Sequence, residues 1–130
     1  MNLQTTIKML AGGVCAVLTK FFGGFDAMLT VLVMLIAVDY ITGVAAALYS
    51  EKLSSKTGFR GILKKVCIMS AVALAHLIGE ITSQEVLRSL VIGFYIANEG
   101  ISILENIAHT GVVLPRKLIN VLEQLKNTEI

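Results

Sequence analysis

The residues in this 130-residue chain most able to do chemistry are a few acids embedded in apolar sequence. Asp39 is the single charge in the 24-residue run 27–50. Glu99 and Glu105 interrupt a second apolar stretch, 87–108, which carries Arg88 near one end. Tyr95, Asn98, Glu99, Ser102, Glu105, Asn106 and His109 recur at intervals of three and four, so they line one side of a helix. Leu90, Val91, Phe94, Ile96, Ile101, Ile103, Leu104 and Ile107 fill much of the rest. Asp39, Thr42, Gly43 and Ala46 repeat the pattern more weakly, and Ser70, Ala73, His76 and Glu80 make a third, thin polar line. Carboxylates, amides and hydroxyls in such stripes suit helix contact, ion handling or the wall of a pore.

Covalent chemistry finds little support. No serine has an evident histidine and acid partner. The glycines of Thr57-Gly58-Phe59-Arg60-Gly61 lack the spacing and the following Lys-Ser/Thr of a phosphate-binding loop. His76 and His109 stand 33 residues apart, outside any HExxH or CxxC cluster. Cys15 and Cys67 read as small packing residues. No catalytic, cofactor-binding or metal-binding residues are therefore expected, and the chain is not expected to be an enzyme.

The elements that must hold these stripes follow from composition. The chain is 55% hydrophobic and 15% charged, where soluble domains carry about 25% charged residues. A net charge of +2 is too mild for a nucleic-acid binder. A helix needs ~20 mostly apolar residues to cross ~30 Å of hydrocarbon. Run 27–50 meets that easily. Run 66–79 meets it if the helix continues past Glu80 toward Thr82 and if Lys64 and Lys65 snorkel to the headgroups. The stretch 87–108 makes a third span. An acid facing lipid at mid-bilayer costs ~2.5–3.5 kcal/mol on insertion scales, so Asp39 and Glu99 must face protein or water.

The expected fold is an all-α membrane protein. Residues 1–24 form an amphipathic or membrane-crossing helix, with Gly23 and Gly24 as a hinge. Residues 25–108 form a core of three transmembrane helices, and residues 109–130 a tail with a short amphipathic surface helix. In that tail Leu118, Val121, Leu122 and Leu125 share a face, and the polar end from 123 to 130 is expected to fray. The segment 51–65 carries Lys52, Lys56, Arg60, Lys64 and Lys65, which predicts a cytoplasmic basic loop. Within it Phe59, Ile62, Leu63 and Val66 fall at helical spacing, with Ser54, Ser55 or Thr57 as cap. The turn at 82–85 lacks Lys and Arg and falls outside, and the tail returns inside. Small-xxx-small pairs, Gly43 with Ala47, Ala71 with Ala75 and Ala75 with Gly79, allow close helix approach. The stripes then either pair between subunits and later line an aqueous hole, or hydrogen-bond within one bundle.

Several motifs together resemble the toxin-secretion/phage-lysis holin family. They are Asp39-x-x-x-Gly43-x-x-x-Ala47, Ser54-Ser55-x-x-Gly58-x-x-Gly61 followed by Lys64-Lys65, Asn98-Glu99-x-x-Ser102-Ile103-Leu104-x-Asn106, and Gly111-x-x-x-Pro115-x-x-Leu118. The resemblance covers about residues 39–125. It implies a small phage or prophage protein that accumulates in the host cytoplasmic membrane and assembles into lesions. These depolarise the cell and release a lysin, or in some clostridial relatives a toxin. It also implies importance for Asp39, Gly43, Gly58, Gly61, Glu99, Ser102, Asn106 and Pro115. The expected partners are further copies of the chain in a large homo-oligomer and the lipid bilayer, with a lysin served without direct specific binding. No cofactor and no nucleic acid are implied. Rival readings are an ion or proton channel subunit using Asp39, His76 and Glu99, and a membrane scaffold without a pore. Met9, after Lys8, could serve as a second start, as in holins made in two lengths.

Overall fold

The computed structural model describes residues 1–129. Within them, the side chains at 125, 126, 128 and 129 lie outside the described set, and with them the expected place of Leu125 on the tail helix and the charge of Lys126. Five helices follow in order, α1 (Leu3–Phe22), α2 (Ala27–Tyr49), α3 (Ser55–Thr82), α4 (Val86–His109) and α5 (Arg116–Glu129). The fold is all-α, as expected, and four of the helices are long and apolar enough to cross a membrane. The polar end expected to fray is helical through Glu129.

Short polar side chains set the helix starts. Asn2, Asp26 and Ser54 each accept a hydrogen bond from a backbone N–H in the first turn of α1, α2 and α3, at Thr5, Leu29 and Thr57. Between α1 and α2, Gly23 and Gly24 have φ of 77° and 98°, a left-handed conformation that a side chain would oppose.

The Ser54 cap changes the reading of the basic segment. Residues 51–65 are not a loop: the connection is confined to 50–54, and Lys56, Arg60, Lys64 and Lys65 all lie on α3. The apolar spacing of Phe59, Ile62, Leu63 and Val66 continues into run 66–79 without a break. The short in-plane helix and the second span are therefore one helix of 28 residues, about 42 Å long.

Helix α4 is the centre of the bundle, packing against α2, α3 and α5, whereas α2 and α3 scarcely touch each other. Leu29 and Leu32 of α2, Ile68 and Val72 of α3, and Ile92 of α4 form the buried core. Helix α5, expected on the membrane surface or against neighbouring subunits, has a partner within the chain. Leu122 lies over Gly100 of α4, where a Cβ would come within 3.2 Å of it. Among described residues of α5, Ile119 and Leu122 are the half-buried apolar pair, while Leu118 and Val121 stay exposed. Helix α1 buries none of its residues and meets α3 through its last turns.

Candidate functional site

Three helices bring three charged side chains to one point. Lys65 Nζ of α3 donates to Asp39 Oδ2 of α2 and, at 2.6 Å, to Glu99 Oε2 of α4. Asp39 is 7% exposed and Glu99 2%. Asn106, two turns further along α4, ties the cluster to α2: its amide lies 2.9 Å from Asp39 Oδ1, 3.1 Å from the Asp39 carbonyl and 3.0 Å from Thr42 Oγ1. The acids that could not face lipid thus find a cation inside their own chain.

The depth of this triad follows from the helix bounds. Asp39 lies ten residues from Tyr49, Lys65 ten from Ser55 and Glu99 ten from His109, about 15 Å from the 50–54 end along each helix. That end is shared, because a Cβ at Gly111 would sit 3.9 Å from Tyr49 Oη. The triad is therefore at mid-span. Leu32, Val72 and Ile92, each fully buried, lie seven residues further along their helices, about 10 Å deeper toward the opposite end. Lys65 does not snorkel, in contrast to the expectation for it: fifteen ångströms of helix separate it from the chain connection, and two carboxylates solvate its ammonium instead. Lys64, one position and 100° around the helix, stays exposed.

Beside the triad, in the gap between α2 and α3, is a cavity of about 610 Å³. Asp39, Tyr40, Gly43 and Ala47 line it from α2; Thr57, Gly58, Gly61, Lys64 and Lys65 from α3; and Tyr95, Asn98, Glu99, Ser102 and Asn106 from α4. It extends from Leu53 and Thr57 at the 50–54 end to the ion cluster. Gly58 and Gly61 leave room for Tyr40, since Cβ atoms there would lie 3.3 Å from its hydroxyl and 3.5 Å from its ring. Gly43 faces the Asn106 amide at 3.6 Å, ordinary contact distance.

Of the residues singled out by sequence, Asp39, Gly43, Tyr95, Asn98, Glu99, Ser102 and Asn106 are brought together at this cavity, and Thr42 joins through Asn106. Glu105 is exposed and does not line it. Lys52, Lys56 and Arg60 are exposed near the 50–54 end. His76 lies elsewhere, toward the opposite end, with Nε2 3.4 Å from Glu80 Oε1.

That opposite end holds a second ionic cluster, which the sequence reading missed. Arg88 of α4 donates to the carbonyls of Phe22 and Gly24, at 2.5 and 2.7 Å, and to Asp26 Oδ2 at 2.7 Å. It clasps the end of α1 to the start of α2. A Cβ at Gly23 would lie 2.6 Å from His76 Nδ1 and 2.8 Å from Arg88 Nε, so a side chain there would have to displace both. The Arg88 hydrogen bond, aided by the Leu29 N–H, holds the Asp26 carboxyl below the usual carboxylate range.

Comparison with known proteins adds to this geometry. An uncharacterized protein of Listeria innocua is 43% identical over 121 residues, covering 92% of this chain and 86% of the relative. An uncharacterized protein encoded in the nagH 3' region of Clostridium perfringens is 38% identical over 130 residues, covering 96% of this chain and 98% of the relative. The YtkC protein of Bacillus subtilis, also uncharacterized, is 32% identical over 108 residues, 82% of this chain and 81% of its own. No solved structure matches. The sequence pattern of the bacteriophage holin family matches residues 16–127, beginning inside α1 and so further toward the N-terminus than the motifs from Asp39 onward. With its four span-length helices, this membrane-embedded chain belongs to the bacteriophage holin family.

Proposed function

We propose that the protein acts as a holin. It accumulates in the bacterial cytoplasmic membrane, associates with further copies and opens a lesion that depolarises the cell and lets a lysin, or a toxin, cross. The observation that carries this reading is a charged seam at mid-span in a chain of the holin family. Helices α2 and α3 are held apart by the cavity and joined through Lys65, so the bundle is already parted along one side. In an assembly, the polar residues of that gap would exchange contacts within one chain for contacts with water. Burial of Asp39 and Glu99 does not itself demand self-association, because Lys65 satisfies both; the pressure to assemble must come from the helix faces left to lipid.

The basic end, with Lys52, Lys56, Arg60 and Lys64 exposed, is assigned to the cytosol by the positive-inside rule, and the Arg88 clasp to the outer face. Moving a charge through 100 mV is worth about 2.3 kcal/mol, so collapse of the potential would bias any rearrangement that carries a net charge across the membrane. Inducible expression in a bacterium with and without a lysin tests the reading. Abrupt loss of viability, with lysis only in the pair, is the expected result. Harmless accumulation at high level would reject it. Selective small-ion conductance without release of folded protein would favour a channel subunit, and an unchanged permeability a scaffold.

A further inference from the structure

The two halves of the bundle differ in a way that lysis alone does not explain. From the 50–54 end to mid-span the gap between α2 and α3 is an open cavity, apolar over most of its wall, with Asp39, Asn98, Glu99, Ser102 and Asn106 among the polar residues that line it. Beyond the triad α2, α3 and α4 close on Leu29, Leu32, Val72 and Ile92, which are fully buried, and the second cavity that reaches Lys65, between α1, α2 and α3, is walled almost entirely by apolar side chains that offer a proton no carrier. A path open from one face and shut at mid-membrane is a half-channel, and it ends on a cluster whose charges do not cancel. Lys65 supplies one positive charge against the two carboxylates of Asp39 and Glu99. The other titratable groups lining the cavity, among the described residues, are Tyr40 of α2, Lys64 and Cys67 of α3 and Tyr95 of α4. Helix α5 reaches this level through apolar Leu122, and α1 meets the far side of α3 through Leu18, Phe21 and Phe22.

We propose that this cavity is a proton-access path from the 50–54 face, and that the Asp39–Glu99 pair binds one proton there, leaving the triad neutral. A net charge at mid-bilayer is costly, and a shared proton removes it while Lys65 keeps both partners. The step balances simply: a hydronium in the cavity loses an O–H bond and remains as water, an O–H bond forms on one carboxylate, and Lys65 stays an ammonium. The ligand is the proton, and the site is loaded from one compartment.

Two measurements on full-length protein in phosphatidylethanolamine–phosphatidylglycerol vesicles test this. Infrared spectra are expected to show one carboxylic-acid carbonyl band that is still present at neutral pH, where ordinary carboxylates, titrating at about 4, are ionised. Glu99→Gln and Asp39→Asn should each abolish it, since either leaves a balanced Lys65–carboxylate pair. Absence of the band in the parent protein, its survival in either variant, or its displacement by sodium at fixed pH would overturn the proposal. In the second measurement, Ser102→Cys in a Cys15→Ala, Cys67→Ala background is exposed to a membrane-impermeant cationic thiol reagent. Modification is expected from the 50–54 face and lost from the other; modification from both faces or neither would overturn the access path. Neither readout requires lysis, so failure of the holin reading leaves this one testable. Labelling also reports which compartment the cavity faces.

Discussion

Among the described residues the bundle carries two inter-helix ionic clusters, built from similar parts and doing different work. At mid-span Lys65 joins Asp39 and Glu99, two carboxylates buried among α2, α3 and α4 and met only from the cavity. At the end distant from the 50–54 connection, Arg88 joins Asp26, whose side chain is 52% exposed, and spends its other donors on the carbonyls of Phe22 and Gly24. Where water screens the charges, a pair contributes about 0–1 kcal/mol and serves mainly to fix geometry. Where it does not, each charge is tolerable only through its partners, and removing one partner costs about 3–5 kcal/mol. The first cluster therefore decides whether three helices can share the bilayer core. The second decides only how α1 leaves it.

The largest effect that would sharpen this contrast is at Lys65. Lys65→Met should destabilise the bundle by about 3–5 kcal/mol, read as unfolding in mixed micelles. Adding Asp39→Asn and Glu99→Gln to it should recover most of the loss, because no buried charge is then unpaired. A Lys65→Met protein as stable as its parent would break the comparison. An intermediate effect is expected at Gly100→Leu, where overpacking against Leu122 should cost about 1–3 kcal/mol and detach α5 without disturbing the triad. Hydrogen exchange that rises in α5 but not around Glu99 would show this.

The smallest effect belongs to the exposed clasp. Asp26→Asn keeps the N-cap of α2 and removes only the ion pair, and should change stability by no more than about 1 kcal/mol. The carboxyl of Asp26 titrates lower in the folded chain than in the unfolded one. Its contribution is thus complete above the unfolded value of about 3.9 and disappears as pH falls through the folded one. Amide protection at Leu29 should be flat through neutral pH and fall only in acid. A decline beginning near neutrality would contradict the assigned partner.

The two clusters also differ in how legible they were. Asp39 and Glu99 stand out in sequence because a charge inside an apolar run must be explained, and the three-and-four spacing gathers Asn98, Ser102 and Asn106 around them. From sequence Lys65 resembles a headgroup anchor because it abuts Lys64 at the edge of an uncharged run. The signal that corrects this was present: a Ser54 cap and the spacing of Phe59, Ile62, Leu63 and Val66 begin the helix ten residues earlier and carry Lys65 to mid-span, on the opposite side from lipid. Arg88 and Asp26 could not be paired from sequence, since they lie 62 residues apart and neither is unusual alone. The same holds for α5, whose docking depends on one missing side chain at Gly100. The glycine hinge at 23–24 is readable from composition, but the crowding of Gly23 by His76 and Arg88 belongs to tertiary structure.

Because α1 is fastened only near its C-terminal end, its free half behaves as an unbraced rod whose reach is set by length alone. Shortening it from the front leaves the joint untouched: residues 9–22 would still be helical and still clasped, but they extend about 21 Å, less than the ~30 Å of hydrocarbon. Trimming eight residues would thus take α1 from a helix of span length to one too short to cross, while sparing the ionic core.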